Sequence, residues 1–240
     1  EDALKEYLLS LKLDDSNFQV WQNILQIESD LSNYQSLVDH ADQALELFPN
    51  QSIIYMYAGL AHLQLKNYQA AASTLEQGKK FSTQNRAQMA TFNSLLGSAY
   101  NGSKEYKKSD NAYQQALEIN PQDEQTLNNY SYFLSLRGEN LEIAEQMAKK
   151  VVTMSPNNAT YLDTYAWVLY MRKKYKQAKV QIEKAIALGD PAAENFDHYG
   201  DILYRLGEIE EAVIQWNNAR KLDKSIDHID KKIETRSIHE

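Results

Sequence analysis

The feature that most constrains this 240-residue chain is a side-chain pattern that returns six times at a nearly fixed interval. Three prolines locate it. Pro49, Pro121 and Pro156 each follow a similar tail: Ala44-Leu45-Glu46-Leu47-Phe48, Ala116-Leu117-Glu118-Ile119-Asn120 and Val151-Val152-Thr153-Met154-Ser155. Each tail reads as the end of an amphipathic helix, and proline stops it because the ring cannot continue the hydrogen-bond ladder. Walking back from these tails gives repeats that begin at Phe18, Ser52, Ala90, Glu124, Ala159 and Ala193. Four of the five spacings are 34 or 35 residues and the other is 38. The four additional residues lie near Arg86 to Met89, and one residue is inserted around Gly138 to Asn140.

The same column types return in each repeat. A bulky residue comes early: Trp21, Tyr55, Leu127, Leu162 and Phe196, with Asn93 the exception. A large-then-small pair follows: Ala58-Gly59, Leu96-Gly97, Tyr130-Ser131, Tyr165-Ala166 and Tyr199-Gly200. Ile24-Leu25 breaks that rule in the first repeat. A second helix then carries a small residue (Ala71, Ser109, Ala144, Ala178, Ala212) and, four positions on, an often large one (Leu75, Tyr113, Ile182, Trp216). Three positions further the residue is small again, at Ala44, Gly78, Ala116, Ala185 and Ala219. Steps of three and four fall on one helical face. Small columns let helices approach, and large columns fill the space between them. A single helical hairpin cannot bury its apolar face, so neighbours must stack. The pattern predicts an all-α chain with one continuous core.

These columns resemble the tetratricopeptide repeat family over residues 18–226, as six repeats: 18–51, 52–89, 90–123, 124–158, 159–192 and 193–226. Ala3, Tyr7 and Ser10 fall in the columns of Ala212, Trp216 and Ala219, so residues 1–17 read as the second helix of a truncated further repeat, with an exposed apolar end. Residues 227–240 read as a polar capping helix. The resemblance implies a right-handed superhelical solenoid of antiparallel helix pairs. The fourth to sixth repeats also look like the C-terminal repeats of bacterial envelope proteins, which favours a periplasmic or lipoprotein-anchored setting over a cytoplasmic one.

Composition removes several alternatives. The net charge of −8, without a basic run longer than a pair, argues against nucleic acid, whose affinity rests on Lys and Arg. The absence of Cys excludes disulfides and thiolate chemistry. No apolar stretch approaches the ~20 residues that span a bilayer. There is no Gly-rich phosphate loop and no His-Glu-x-x-His helix, and neither a cofactor nor a metal is expected. The five His are scattered. His62 lies in a packing column and reads as a satisfied interface residue. His228 with Asp230 reads as part of a solvated helix sooner than as a metal site. The triplets Asn50-Gln51-Ser52 and Asn158-Ala159-Thr160 permit glycosylation, but their place at repeat junctions favours helix capping.

Function must then lie on a surface. In the family, the concave face is lined by first-helix side chains that point away from the packing columns. In the last three repeats these are Asn128, Tyr132, Asp163, Trp167, Tyr170, Asp197, Asp201 and Tyr204. Aromatic anchors beside amides and carboxylates suit a protein or peptide ligand, and the carboxylates suit one bearing Lys, Arg or a free amine. Arg205 is the one basic candidate on that face, so capture of an acidic C-terminal tail is disfavoured. The expected function is a non-enzymatic protein-interaction module with a concave groove. Its rival is a scaffold that assembles complexes through the convex face or the ends. An enzyme would need Asp163, Asp197, Asp201 and His198 to converge, yet the adjacent Asp197 and His198 point about 100° apart on a helix.

Overall fold

A computed structural model describes residues 2–226 and 228–238. It is built from α1 (Asp2–Leu13), α2 (Phe18–Asp30), α3 (Tyr34–Leu47), α4 (Ser52–Gln64), α5 (Tyr68–Lys79), α6 (Arg86–Gly102) and α7 (Tyr106–Ile119). These are followed by α8 (Glu124–Arg137), α9 (Leu141–Met154), α10 (Ala159–Met171), α11 (Tyr175–Ala187), α12 (Ala193–Leu206), α13 (Ile209–Leu222) and α14 (Ile229–Thr235). Among the described residues there is no strand. The pairs α2–α3, α4–α5, α6–α7, α8–α9, α10–α11 and α12–α13 make an all-α solenoid of helix pairs, each pair falling within one sequence repeat. The chain divides into two compact blocks, Glu1–Thr126 and Leu127–Glu240, where one continuous core was expected. Helix pairs that touch only their neighbours allow such a division at any pair.

One device closes every pair. The N–H of Asn33, Asn67, Glu105, Glu139, Lys174 and Glu208 donates to the carbonyl five residues earlier, at Glu28, His62, Tyr100, Leu134, Leu169 and Leu203. The residue before each donor is left-handed: Ser32, Lys66, Lys104, Gly138, Lys173 and Gly207. This is the αL helix ending that satisfies the last orphan carbonyls. The inserted residue of the fourth repeat is absorbed here, as a second left-handed residue at Asn140 (φ 46°). The four additional residues of the third repeat have another fate. They lengthen α6 to 17 residues, beginning at Arg86.

The size columns interlock. A Cβ on Gly59 would stand 2.4 Å from two carbons of Leu75. On Gly97 it would stand 2.7 Å from the Tyr113 ring, and on Gly200 it would stand 2.4 Å from Trp216. In each case the large partner lies sixteen residues downstream on the second helix. The first repeat obeys the same rule with the sizes exchanged: Leu25 is large, Ala41 sixteen residues on is small, and both are fully buried in one cluster. In the third repeat Phe92, one residue before Asn93, supplies the bulky group and is fully buried. Its ring lies 2.9 Å from where a Cβ on Gly78 would stand.

Capping differs in detail from expectation. Asn158 caps α10 by accepting from the Tyr161 N–H at 3.2 Å. Asn17 and Asn85 cap α2 and α6 in the same way. Asn50 does not cap, because the residue preceding α4 is Gln51, whose side chain makes no cap bond. His62 is half-buried, and its Nδ1 is enclosed without a hydrogen-bond partner, so that nitrogen is not satisfied. In α1 no residue is buried, and Leu9 and Leu13 are exposed. No helix of the described residues is long and apolar enough to cross a membrane.

Candidate functional site

The eight candidate residues lie on the first helices of the last three repeats: Asn128 and Tyr132 on α8, Asp163, Trp167 and Tyr170 on α10, and Asp197, Asp201 and Tyr204 on α12. All of them belong to the second block. Most are drawn into contacts between successive first helices.

Those contacts repeat with a fixed offset. His198 Nδ1 lies 3.0 Å from Asp163 Oδ1, 35 residues earlier. Arg205 Nε donates to the Tyr170 hydroxyl at 3.2 Å, again across 35 residues. Lys232 Nζ donates to Asp197 Oδ1 at 2.7 Å with the same separation. An offset of one repeat places each partner on the next first helix. By this register α14 stands where the first helix of a following repeat would stand, and Lys232 occupies the place that His198 holds one repeat earlier.

Lys232 makes a second bond. Its Nζ lies 2.7 Å from Asp201 Oδ1, which also accepts from Trp216 Nε1 at 3.0 Å. The Lys232 and Asp201 side chains are only 5% and 7% exposed. Burial holds the Asp201 carboxyl above the usual carboxylate range, against the pull of Lys232. At the other pair, burial opposes both charges, but their mutual attraction prevails. Asp163 is held below its ordinary value with help from His198 and Asn195, and His198 is held above its own. Trp167 stacks on the His198 ring, with centroids 4.2 Å apart, and on the Tyr170 ring, at 4.7 Å.

The expectation of a free acidic surface is therefore corrected. Asp163, Asp197 and Asp201 have internal cationic partners in His198 and Lys232. Burying a carboxylate unpaired would be too costly, so the chain supplies the cation itself. The acid–base candidates also form two separate groups, Asp163–His198 and Asp197–Lys232–Asp201. Lys232 was not anticipated as part of the site. The 35-residue offset that joins Asp163 to His198 is the signal that could have found it.

Two polar atoms in this row have no internal partner. Asn128 is buried and its Oδ1 lacks a hydrogen bond, as does the enclosed Nε1 of Trp167. One is an acceptor and the other a donor. Tyr132 and Tyr204 are half-buried beside them in the row. Burial, together with the charges of Glu194 and Asp163, pushes the Tyr132 phenol up to about 12, so it keeps its proton. Tyr204 leans on Trp216, with ring centroids 6.1 Å apart.

Comparison with known proteins agrees with the helix pairs. Models of the tetratricopeptide repeat match residues 30–85 and 90–123. No curated protein matches the chain. A solved tetratricopeptide repeat protein from Parabacteroides merdae is similar with a TM-score of 0.74 and 15% identity, covering 97% of this chain and 90% of its own. YrrB, described as a tetratricopeptide protein with an unusual peptide-binding site, gives 0.54 at 18% identity, covering 76% of this chain and 91% of its own. The Cut9–Hcn1 hetero-tetramer gives 0.77 at 13% identity, covering 98% of this chain and 46% of that one. Identities this low speak for the fold alone. The repeat models over residues 30–85 and 90–123, with helix pairs of the same kind before and after them, show a chain that carries tetratricopeptide repeats, which generally form non-enzymatic protein-interaction modules.

Proposed function

We propose that the chain holds an extended segment of another protein along the first helices α8, α10 and α12. The observation that carries this reading is the pair of buried polar atoms without internal partners, Asn128 Oδ1 and Trp167 Nε1. Leaving such groups unmade is costly, and a peptide backbone offers the complementary N–H and C=O. Tyr132 and Tyr204 supply aromatic contact area on the same row. Tyr170 and the three aspartates form the frame that fixes these groups. Because His198 and Lys232 match the aspartates, the segment is recognised by its backbone and apolar side chains, and a basic residue on it adds little. YrrB, which shares the fold, is described as having a peptide-binding site. A bacterial envelope setting belongs to the same reading and rests on the resemblance of the last three repeats.

The test begins with affinity capture by the whole chain, with the captured proteins identified by mass spectrometry. Asn128→Ala and Trp167→Phe should then each weaken capture about tenfold, the loss of one good hydrogen bond at roughly 1.4 kcal/mol. Phe keeps the stacking, so the helices should stay intact. Unchanged capture by both variants overturns the reading.

A rival observation favours assembly through the second helices. Ile143 on α9, Val180 on α11 and Ile214 on α13 are large, apolar and about half exposed. If that face binds, Val180→Asp and Ile214→Asp abolish capture, while the Asn128 and Trp167 variants do not.

A further inference from the structure

Asn93 departs from its column, and a cavity lies beside it. The same position carries Trp21, Tyr55, Leu127, Leu162 and Phe196 in the other repeats. Asn93 is only 2% exposed, and its Oδ1 is enclosed without a hydrogen-bond partner. Such a group lowers stability compared with an apolar residue of the same shape. Beside it, between α5, α6 and α7, lies an open cavity of about 280 Å³. Glu76 and Lys79 line it from α5, Tyr100 from α6, and Asn111 and Gln115 from α7.

The wall groups are only partly engaged. Gln115 Nε2 donates to Asn111 Oδ1 at 2.9 Å, and the Tyr100 hydroxyl donates to Glu76 Oε1. Lys79 Nζ reaches Gln115 Oε1 at a long 3.4 Å. That leaves N–H groups of Lys79 and Asn111 as donors, and the second Glu76 oxygen as an acceptor. The Asn93 amide adds either, because its terminal torsion is soft and can present O or NH₂. The charges balance: Glu76 faces Lys79, and Lys108, 5.3 Å from the Tyr100 ring centre, is paired with Glu105 at 2.5 Å. A bare anion would meet Glu76 at the rim. A bare cation would meet Lys79 and Lys108.

A neutral group that both donates and accepts meets neither penalty. We propose that this cavity is a recognition pocket for a carboxamide, the side chain of a Gln or Asn on a bound protein segment. Its NH₂ donates to Asn93 and Glu76, and its carbonyl accepts from Lys79 and Asn111. The pocket lies wholly within the first block and does not depend on the row formed by α8, α10 and α12.

The experiment titrates the whole chain with propionamide, read by ¹H–¹⁵N spectra of side-chain amides, with propionate and propylammonium as controls of matched size. Propionamide should shift the Asn93 and Gln115 resonances saturably, with half-saturation on the order of 10 mM. The two charged controls should give at least fivefold weaker responses. Asn93→Leu, which restores the residue type of Leu127 and Leu162, should abolish the Gln115 response and raise the melting temperature by about 2–4 °C. A stronger response to either charged control overturns the carboxamide assignment. No saturable response, or a lower melting temperature in Asn93→Leu, overturns the pocket, because the amide would then serve the fold alone.

Discussion

Substituting Gly59 by Ala should destabilise this protein, although the same change in an exposed helix stabilises it. The helix-propensity gain of Ala over Gly is about 1 kcal/mol. Against it stands the new Cβ, 2.4 Å from both Cγ and Cδ2 of Leu75 and 3.2 Å from Cδ1. Leu75 is fully buried, within a cluster that includes Tyr55, Phe92 and Leu96, and has little room to retreat. Overpacking of this kind costs about 2–3 kcal/mol, so the net loss should be about 1–2 kcal/mol. Leu75→Ala alone should cost about 2–5 kcal/mol by leaving a cavity. In the double variant the clash disappears and the new methyl fills part of that space. Its loss should therefore fall short of the sum of the singles by at least about 1 kcal/mol. Urea unfolding followed by far-ultraviolet circular dichroism measures all three. Stabilisation by Gly59→Ala, or additivity within about 0.5 kcal/mol, refutes the interlocking of small and large columns.

Three further outcomes concern the buried ion pairs and the helix ends. Lys232→Met leaves Asp197 and Asp201 buried without their cation and should cost about 3–5 kcal/mol, seen as lost hydrogen-exchange protection of α13 and α14; protection unchanged would mean that the bridge is not formed. His40 is held above 6.5 chiefly by its hydrogen bond to Glu28, and His198 by Asp163 against its own burial. A raised imidazole contributes fully below its unfolded value and loses that contribution as pH rises through the folded value. The urea midpoint should therefore fall from pH 6 towards alkaline pH, and His40→Gln with His198→Gln should flatten the decline. Asn158→Ala should cost about 1 kcal/mol, whereas Asn50→Ala should stay within about 0.5 kcal/mol, and equal losses would contradict the capping geometry.

The fold was legible because its signals are local and recur. The proline-ended tails, the small columns and the step from Gly59 to Leu75 each occur within one repeat, and repetition separates them from chance. The candidate row was legible as a set of positions, since Asp163, Trp167 and Tyr170 follow from helix phase. Their electrostatic state was not. Whether Asp197 faces solvent or a cation depends on Lys232, 35 residues away in a stretch that reads as a polar cap. The first repeat is an exception only when Leu25 is taken alone, and its counterpart Ala41 shows that the rule concerns the sum of two sizes. Asn93 stands out in its column, but the cavity beside it depends on how α5, α6 and α7 pack, which no single repeat reveals.

On the proposed function, partners are held on the first helices of the second block. Site-specific photo-crosslinking tests it most directly, with benzoylphenylalanine placed in turn at Tyr132, Tyr204, Val180 and Ile214 of the whole chain. Partner adducts are expected from Tyr132 and Tyr204 and none from Val180 or Ile214. Adducts confined to Val180 and Ile214 would contradict it and place binding on the second helices.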